Sequence, residues 1–82
     1  MQSTDAFDPT DAQDTLTRLW AVLLEIETPS IDADFFELGG TSMTVVKMLV
    51  EVSNTFHVDV DVASFLSHPT IRTLLPLIGI TP

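Results

Sequence analysis

The sequence predicts an all-α fold: a small bundle of three main helices and one short helix, with a long structured loop between helices one and two. Apolar side chains recur every three or four residues in three separate segments, which is the spacing of one helix face. The only alternating stretch, residues 57–61, has no second strand to pair with. With 82 residues, of which 45% are hydrophobic, the chain can bury one core and forms a single domain.

Composition excludes several classes of function. Three Lys and Arg against twelve Asp and Glu give a net charge of -9, which argues against nucleic acid and anionic membranes because both are bound through clustered cations. The absence of Cys excludes disulfides and thiolate metal sites. The acidic start is unlike a signal peptide, and no apolar run could span a membrane, so we expect a cytoplasmic protein. Because so small a core leaves little room for a substrate cavity, we expect no catalytic residue.

The first helix is predicted from about Asp11 to Glu25. Residues 1–9 are interpreted as an acidic tail in which Phe7 alone could pack against the domain, which itself covers residues 10–79. Thr10 and Gln13 fit a capping box, and Pro29 lies where the helix must already have stopped. The helical spacing predicts a core face made of Leu16, Leu19, Trp20, Leu23 and Leu24.

A long connection over residues 27–41 carries apolar side chains that we expect to attach it to the bundle. These are Ile31, Phe35, Phe36 and Leu38. Long loops in compact domains are usually functional. Helix two is predicted from about Ser42 to Phe56. Its core stripe is Val45, Met48, Leu49, Val52 and Phe56.

The remaining chain predicts an extended connector, a short helix and a last helix. Residues 57–61 form the connector with Val58 and Val60 turned inward; their alternating His and Asp are interpreted as solvated, so we expect no metal site. The short helix, about 61–67, offers Val62, Phe65 and Leu66 to the core. Thr70 caps the last helix, which carries Ile71, Leu74, Leu75 and Ile78. Pro76 predicts that this helix ends or kinks near Leu75, and residues 80–82 form a tail.

Helix two is apolar on a second face. Met43, Val46 and Val50 lie roughly 100–160° from the core stripe, with Lys47 beside them. An exposed apolar patch usually marks a binding surface. The alternative is that Phe35, Phe36 or Leu38 from the preceding loop covers these side chains.

Two glycines precede a serine at the predicted start of helix two. Gly39 and Gly40 permit tight turns and close approach of another group. The free N–H groups and the dipole at a helix start favour a phosphate there, so Ser42 is well placed to carry a phosphoryl group. The alternative is that Thr41 or Ser42 serves only as an N-cap.

The string DADFFELGGTSM, residues 32–43, resembles the attachment motif of peptidyl carrier proteins. These are the thiolation domains of nonribosomal peptide synthesis and belong to the acyl carrier protein-like, phosphopantetheine-binding family. The downstream string FLSHPTI, residues 65–71, is similar to the short-helix exit of the same family. The resemblance covers roughly residues 10–79.

The resemblance implies that Ser42 is esterified by 4′-phosphopantetheine, which a phosphopantetheinyl transferase takes from coenzyme A. Gly39, Gly40 and Thr41 would then surround the cofactor, and the protein would be a non-catalytic carrier of an aminoacyl or peptidyl thioester. The implied partners are an adenylation enzyme or domain and condensation, tailoring or thioesterase domains of secondary metabolism, such as antibiotic biosynthesis. The partner-contacting candidates are Phe36, Leu38, Met43, Val46 and Lys47.

Two other interpretations remain. Helix two has one acidic residue, Glu51, which favours apolar docking of the peptidyl type, but a polyketide or other acyl carrier would share Ser42. A cofactor-free helical adaptor would use the Met43 and Val46 face alone. A monomer is expected because that face must stay free for several partners. The cargo, and whether the carrier is free-standing or a synthetase domain, stay open.

Overall fold

A computed structural model describes residues 9–80 and contains four α-helices. They are α1 (Pro9–Leu24), α2 (Ser42–Phe56), α3 (Val62–Ser67) and α4 (Ile71–Leu77). Residues 9–80 include no β-strand, and none of their helices is both long and apolar enough to cross a membrane. The all-α prediction is confirmed, although α4, at seven residues, is nearly as short as α3.

Helix α1 begins two residues earlier than predicted. Pro9 is its first residue, a position that suits proline because its fixed φ matches the helix and the N–H it lacks would have no partner there. Thr10 therefore lies inside the helix, and the predicted Thr10–Gln13 capping box is wrong. The helix ends at Leu24, and Glu25 follows in the left-handed conformation with a φ of 56°. Phe7 and the rest of residues 1–8 lie outside the described residues.

The core is organised around three aromatic rings that meet edge to face. Trp20 from α1, Phe35 from the long loop and Phe65 from α3 are all fully buried. The Trp20 and Phe35 centroids are 4.8 Å apart, and the Phe35 and Phe65 centroids are 6.1 Å apart. Edge-to-face pairs at these distances are favourable beyond the area that they bury. The rings thus join three separate segments at one point.

Helix α2 has the predicted bounds and supplies one side of this core. Its buried residues are Val45, Met48, Leu49 and Val52, and Phe56 packs half-buried against them. The predicted core stripe is therefore confirmed. His57 ends the helix in the left-handed conformation, with its N–H donated to the Ser53 carbonyl at 2.8 Å.

The connector after α2 follows the prediction, whereas α3 does not. Val58 and Val60 of the extended connector pack half-buried against the core, as predicted. On α3 only Phe65 is buried, whereas Val62 and Leu66 are 48% and 46% exposed, so the prediction that they join the core is wrong. A six-residue helix has fewer than two turns, and one side chain per turn is all that it presents inward.

Helix α4 continues two residues beyond the predicted end near Leu75. Thr70 is its N-cap as predicted and accepts the Thr73 N–H at 3.1 Å. Pro76 lies in the last turn and removes its own N–H from the helix ladder. Two residues further on, Ile78 still donates to the Leu74 carbonyl at 3.0 Å.

Candidate functional site

A compact turn, residues 34–40, leads into α2 and is closed by the Asp34 side chain. One Asp34 carboxylate oxygen accepts the Phe36 N–H at 2.8 Å and the Glu37 N–H at 3.3 Å. The Gly40 N–H donates to the Phe35 carbonyl at 2.9 Å. Asp34 was predicted only as part of the attachment motif, although an aspartate that bonds the backbone two residues on is a recognisable turn signal.

Phe35 holds this turn against the bundle. Its ring lies in the aromatic core, and its N–H donates to the Pro69 carbonyl at 2.8 Å. Phe35 lies in the first sequence motif and Pro69 in the second. The two motifs, separated by more than twenty residues in the chain, are therefore in direct contact, and the second one positions the first.

A second tie joins the same loop to α4. The Arg72 N–H donates to the Ile31 carbonyl at 3.0 Å, and the Arg72 guanidinium forms a bidentate pair with the Asp32 carboxylate. The hydrogen bond from Arg72 holds the pKa of Asp32 below its usual value, and the same pair raises the pKa of Arg72. Both side chains are exposed, so the pair orients the loop more than it stabilises the fold.

The two glycines serve different purposes. Gly39 has a φ of 106°, which L side chains rarely adopt, and a Cβ added to it would meet no atom within 4 Å. A Cβ on Gly40 would collide with the Phe35 ring and would lie 2.7 Å from the Phe35 carbonyl oxygen. Gly39 is thus required for backbone conformation and Gly40 for close packing.

Thr41 is the N-cap of α2, which leaves Ser42 as its first helical residue. The Thr44 N–H donates to the Thr41 hydroxyl at 3.3 Å, and the Thr41 N–H donates to the Thr44 hydroxyl at 2.7 Å. This reciprocal pair is a capping box with threonine in the place usually taken by Glu or Gln. The Ser42 side chain is exposed and forms no hydrogen bond within residues 9–80.

The start of α2 offers a suitable environment for an anion on Ser42. Thr44 alone among the first three helical residues has its N–H paired within the described chain, so the N–H groups of Ser42 and Met43 remain available. No acidic side chain lies in the first turn. Free N–H groups and the helix dipole stabilise a phosphate at this position. Ser42 and its surroundings therefore fit a phosphodiester-linked group.

The second apolar face of α2 is exposed, so no part of residues 9–80 covers it. Met43 is 66% exposed, Val46 59% and Val50 52%, and Lys47 is exposed beside them. Phe36 is 40% exposed at the end of the loop. The predicted alternative, in which the loop buries these positions, is therefore wrong.

The remaining candidate, Leu38, packs half-buried on the core.

A groove of about 330 Å³ runs along the second apolar face of α2, between this helix and the connector. Val46 and Val50 form one wall, and Val60 and Val62 form the other. Val62 was predicted in the core and not in this groove, because periodicity shows that a residue is apolar but not which way a short helix turns. Elsewhere in residues 9–80, no three His, Asp or Glu side chains are grouped as metal ligands would be.

Residues 14–78 match the phosphopantetheine attachment site family. The chain belongs to this family. The match includes both sequence motifs and all of α2, α3 and α4. Phosphopantetheine is accordingly the cofactor of this chain.

Curated relatives of this family member are very large synthetases. Malformin synthetase mlfA of Aspergillus homomorphus is 39% identical over 67 residues, which is 79% of this chain and 1% of the synthetase. The hybrid PKS-NRPS synthetase gkaA of Penicillium citrinum is 28% identical over 83 residues, which is 95% of this chain and 2% of that protein. The chain thus spans only 1–2% of the length of these synthetases.

Solved peptidyl carrier structures share the fold. A peptidyl carrier protein in complex with the phosphopantetheine transferase Sfp and coenzyme A has a TM-score of 0.79 at 20% identity, with 96% of each chain covered. A docking domain complex of the Pax NRPS has a TM-score of 0.78 at 27% identity and covers 95% of this chain and 75% of that one. This carrier-family chain therefore has the peptidyl carrier architecture throughout its described length.

Proposed function

We propose that this chain is a peptidyl carrier domain of nonribosomal peptide synthesis, modified at Ser42 by 4′-phosphopantetheine. The observation that carries the proposal is the position of Ser42: an exposed, unbonded hydroxyl at the first residue of α2, beside free backbone N–H groups. The relatives that are malformin synthetases support the nonribosomal class.

The residues around Ser42 have distinct tasks. Thr41 ends the extended chain and starts the helix, and Ser42, the first helical residue, is exposed. The N–H groups of Ser42 and Met43 are placed to stabilise the phosphodiester charge. Gly39 leaves open space beside the attachment point. The bound group supplies a terminal thiol that holds an acyl or aminoacyl group as a thioester, and tethering keeps this cargo at high effective concentration near partner sites.

On this proposal, the exposed apolar face of α2 is the surface that partner enzymes contact. Met43, Val46 and Lys47, together with Phe36, would contact the transferase and the catalytic domains, and the half-buried Leu38 would support the loop beneath them. The transferase partner is suggested by the carrier protein solved with Sfp, and an adenylation partner by the structure of McyG A-PCP with phenylalanyl-adenylate. Condensation, tailoring or thioesterase domains would use the same face in turn.

The attachment site is tested by intact-mass measurement of the 82-residue chain after incubation with coenzyme A, Mg²⁺ and a broad-specificity phosphopantetheinyl transferase. We expect a gain equal to one phosphopantetheine group, and no gain for Ser42→Ala. Ser67→Ala, which alters another exposed helical serine, is the matched control and should keep the gain. Modification of Ser42→Ala would show that the group is attached to another residue and would contradict the assignment. An unmodified wild-type chain would favour the cofactor-free adaptor.

A polyketide or other acyl carrier is the second candidate, because the relative gkaA is a hybrid PKS-NRPS synthetase. Loading the modified chain separates the two. An adenylation enzyme with ATP and an amino acid should form an aminoacyl thioester, whereas an acyltransferase with an acyl-coenzyme A should not load the chain. The opposite pattern would favour the polyketide class. A role in antibiotic biosynthesis and a cytoplasmic location stay predictions, which identification of the released product and cell fractionation would test.

A further inference from the structure

A second cavity, of about 210 Å³, lies between the start of α1 and helix α4, and the proposed carrier function does not use it. Its apolar wall consists of Ile31, Leu75, Pro76 and Ile80. Three of these side chains, all except Pro76, pack half-buried against the core. The cavity is therefore a shallow extension of the core that residues 9–80 leave uncovered, and filling it with an apolar side chain would be favourable.

Pro76 is one of the residues that line this cavity. A proline inside a helix costs stability, and nothing in the carrier function requires one here. The cavity is bordered by Pro76 and by the neighbouring Leu75. The proline ring adds apolar surface to the cavity wall.

The other wall of the cavity belongs to the first turns of α1. Thr10 and Gln13 line it, and Thr10 is three residues after Phe7. At most about 3.6 Å of chain per residue places the Phe7 Cα within roughly 11 Å of that of Thr10. Phe7 is the only aromatic residue in the eight that precede α1. An apolar residue just before a helix commonly folds back on its first turns.

The charge of the segment 1–8 also favours a position for this segment beside the cavity. Arg72 is one of the residues that line the cavity, and it is one of only three Lys and Arg in the chain. Its pair with Asp32 uses two N–H groups and leaves three of the five that a guanidinium carries. Residues 1–8 contain Asp5 and Asp8 and no basic side chain. An acidic segment with one aromatic residue thus complements an apolar cavity with a cation at its edge.

We propose that Phe7 occupies this cavity and that the acidic residues of the segment 1–8 lie beside Arg72. The segment then packs along α4, so the chain enters the carrier domain in a defined direction. This interaction is independent of Ser42 and of its modification.

Nuclear Overhauser spectra of the full 82-residue chain test the proposal directly. We expect cross-peaks from the Phe7 ring protons to the methyl groups of Leu75 and Ile80. Those methyl resonances should lie upfield in the wild-type chain and lose that shift in Phe7→Ala. Met1→Ala, which also truncates an apolar side chain of the segment, should leave them unchanged. The proposal would be overturned if the Phe7 ring protons gave cross-peaks only to Ala12, or if the methyl shifts of Leu75 and Ile80 were the same in Phe7→Ala as in the wild type.

A double-mutant cycle gives an independent measure. Phe7→Ala should raise the unfolding equilibrium constant about tenfold, as expected when roughly half of a phenyl side chain is buried. In the Ile80→Ala background the same change should have a clearly smaller effect, because the contact is already lost. Equal effects in both backgrounds would show that Phe7 does not touch Ile80 and would refute the assigned site.

Discussion

Gly40 is a position at which one added methyl group should clearly lower the free energy of unfolding. In Gly40→Ala the new Cβ would overlap the Phe35 ring and lie 2.7 Å from the Phe35 carbonyl oxygen, well inside the 3.4 Å at which ordinary contact begins. The ring has no room to move, because Trp20 and Phe65 lie edge-on against it at centroid distances of 4.8 and 6.1 Å. Overpacking a filled core costs about 1–3 kcal/mol, so we expect a loss of that size in the free energy of unfolding.

The loss should be partly reversed by shrinking the obstructing side chain. Phe35→Leu creates space at the ring position, so Gly40→Ala should cost less in the Phe35→Leu background than in the wild type. The carbonyl contact remains, which makes the rescue incomplete. Urea unfolding monitored through Trp20, the only tryptophan, measures each free energy in the four chains of this cycle.

Gly39→Ala is the matched control for this cycle. Its added Cβ meets no atom within 4 Å, but its φ of 106° is unsuitable for alanine, and such backbone strain costs about 1–3 kcal/mol. Because no side chain causes this cost, Phe35→Leu should leave it unchanged. An equal loss for Gly40→Ala with and without Phe35→Leu would refute the packing explanation.

Three further predictions concern helix ends and the ion pair. Thr41→Ala should destabilise the chain by about 1 kcal/mol in urea unfolding through loss of the N-cap, while Thr41→Ser keeps it; equal stability of the two variants would contradict this. Glu25→Gly should raise the melting temperature, because glycine adopts the left-handed φ of 56° without the cost of about 1 kcal/mol that a Cβ brings, and because the change removes a negative charge at a helix C-terminus; Glu25→Ala, which removes only the charge, should gain less. The lowered pKa of Asp32 means that its pair with Arg72 stabilises the fold above the usual value of 3.8 and that this contribution is lost as pH falls through the lowered pKa. Asp32→Asn should therefore show a smaller acid-induced drop in melting temperature than the wild type; an identical drop would count against the pair.

Local sequence predicted the helix that carries the site with little error. The bounds of α2 and its buried stripe follow from apolar spacing because a face of four or five such residues can be buried in only one orientation. Glycine before the helix and a hydroxyl residue at its start are likewise local signals. They narrowed the N-cap to Thr41 or Ser42, and the extended backbone of Thr41 decides between the two.

Short elements were less predictable. The start of α1 was placed two residues late because Thr10 and Pro9 both fit a helix start. On α3, Val62 and Leu66 have the spacing of core residues, yet they face outward because Phe65 takes the available space beside Trp20. In an element of six residues, packing against neighbours outweighs periodicity.

The sequence by itself determined that this chain is a small acidic helical bundle with a serine at the mouth of its second helix, because composition, helix spacing and capping are properties of adjacent residues. The tertiary structure alone decided how the attachment turn is held: the Phe35 ring in the aromatic core, its N–H on Pro69 and the backbone of Ile31 on Arg72. These contacts join residues between 15 and 41 positions apart, and a linear pattern carries no information on which distant segments meet.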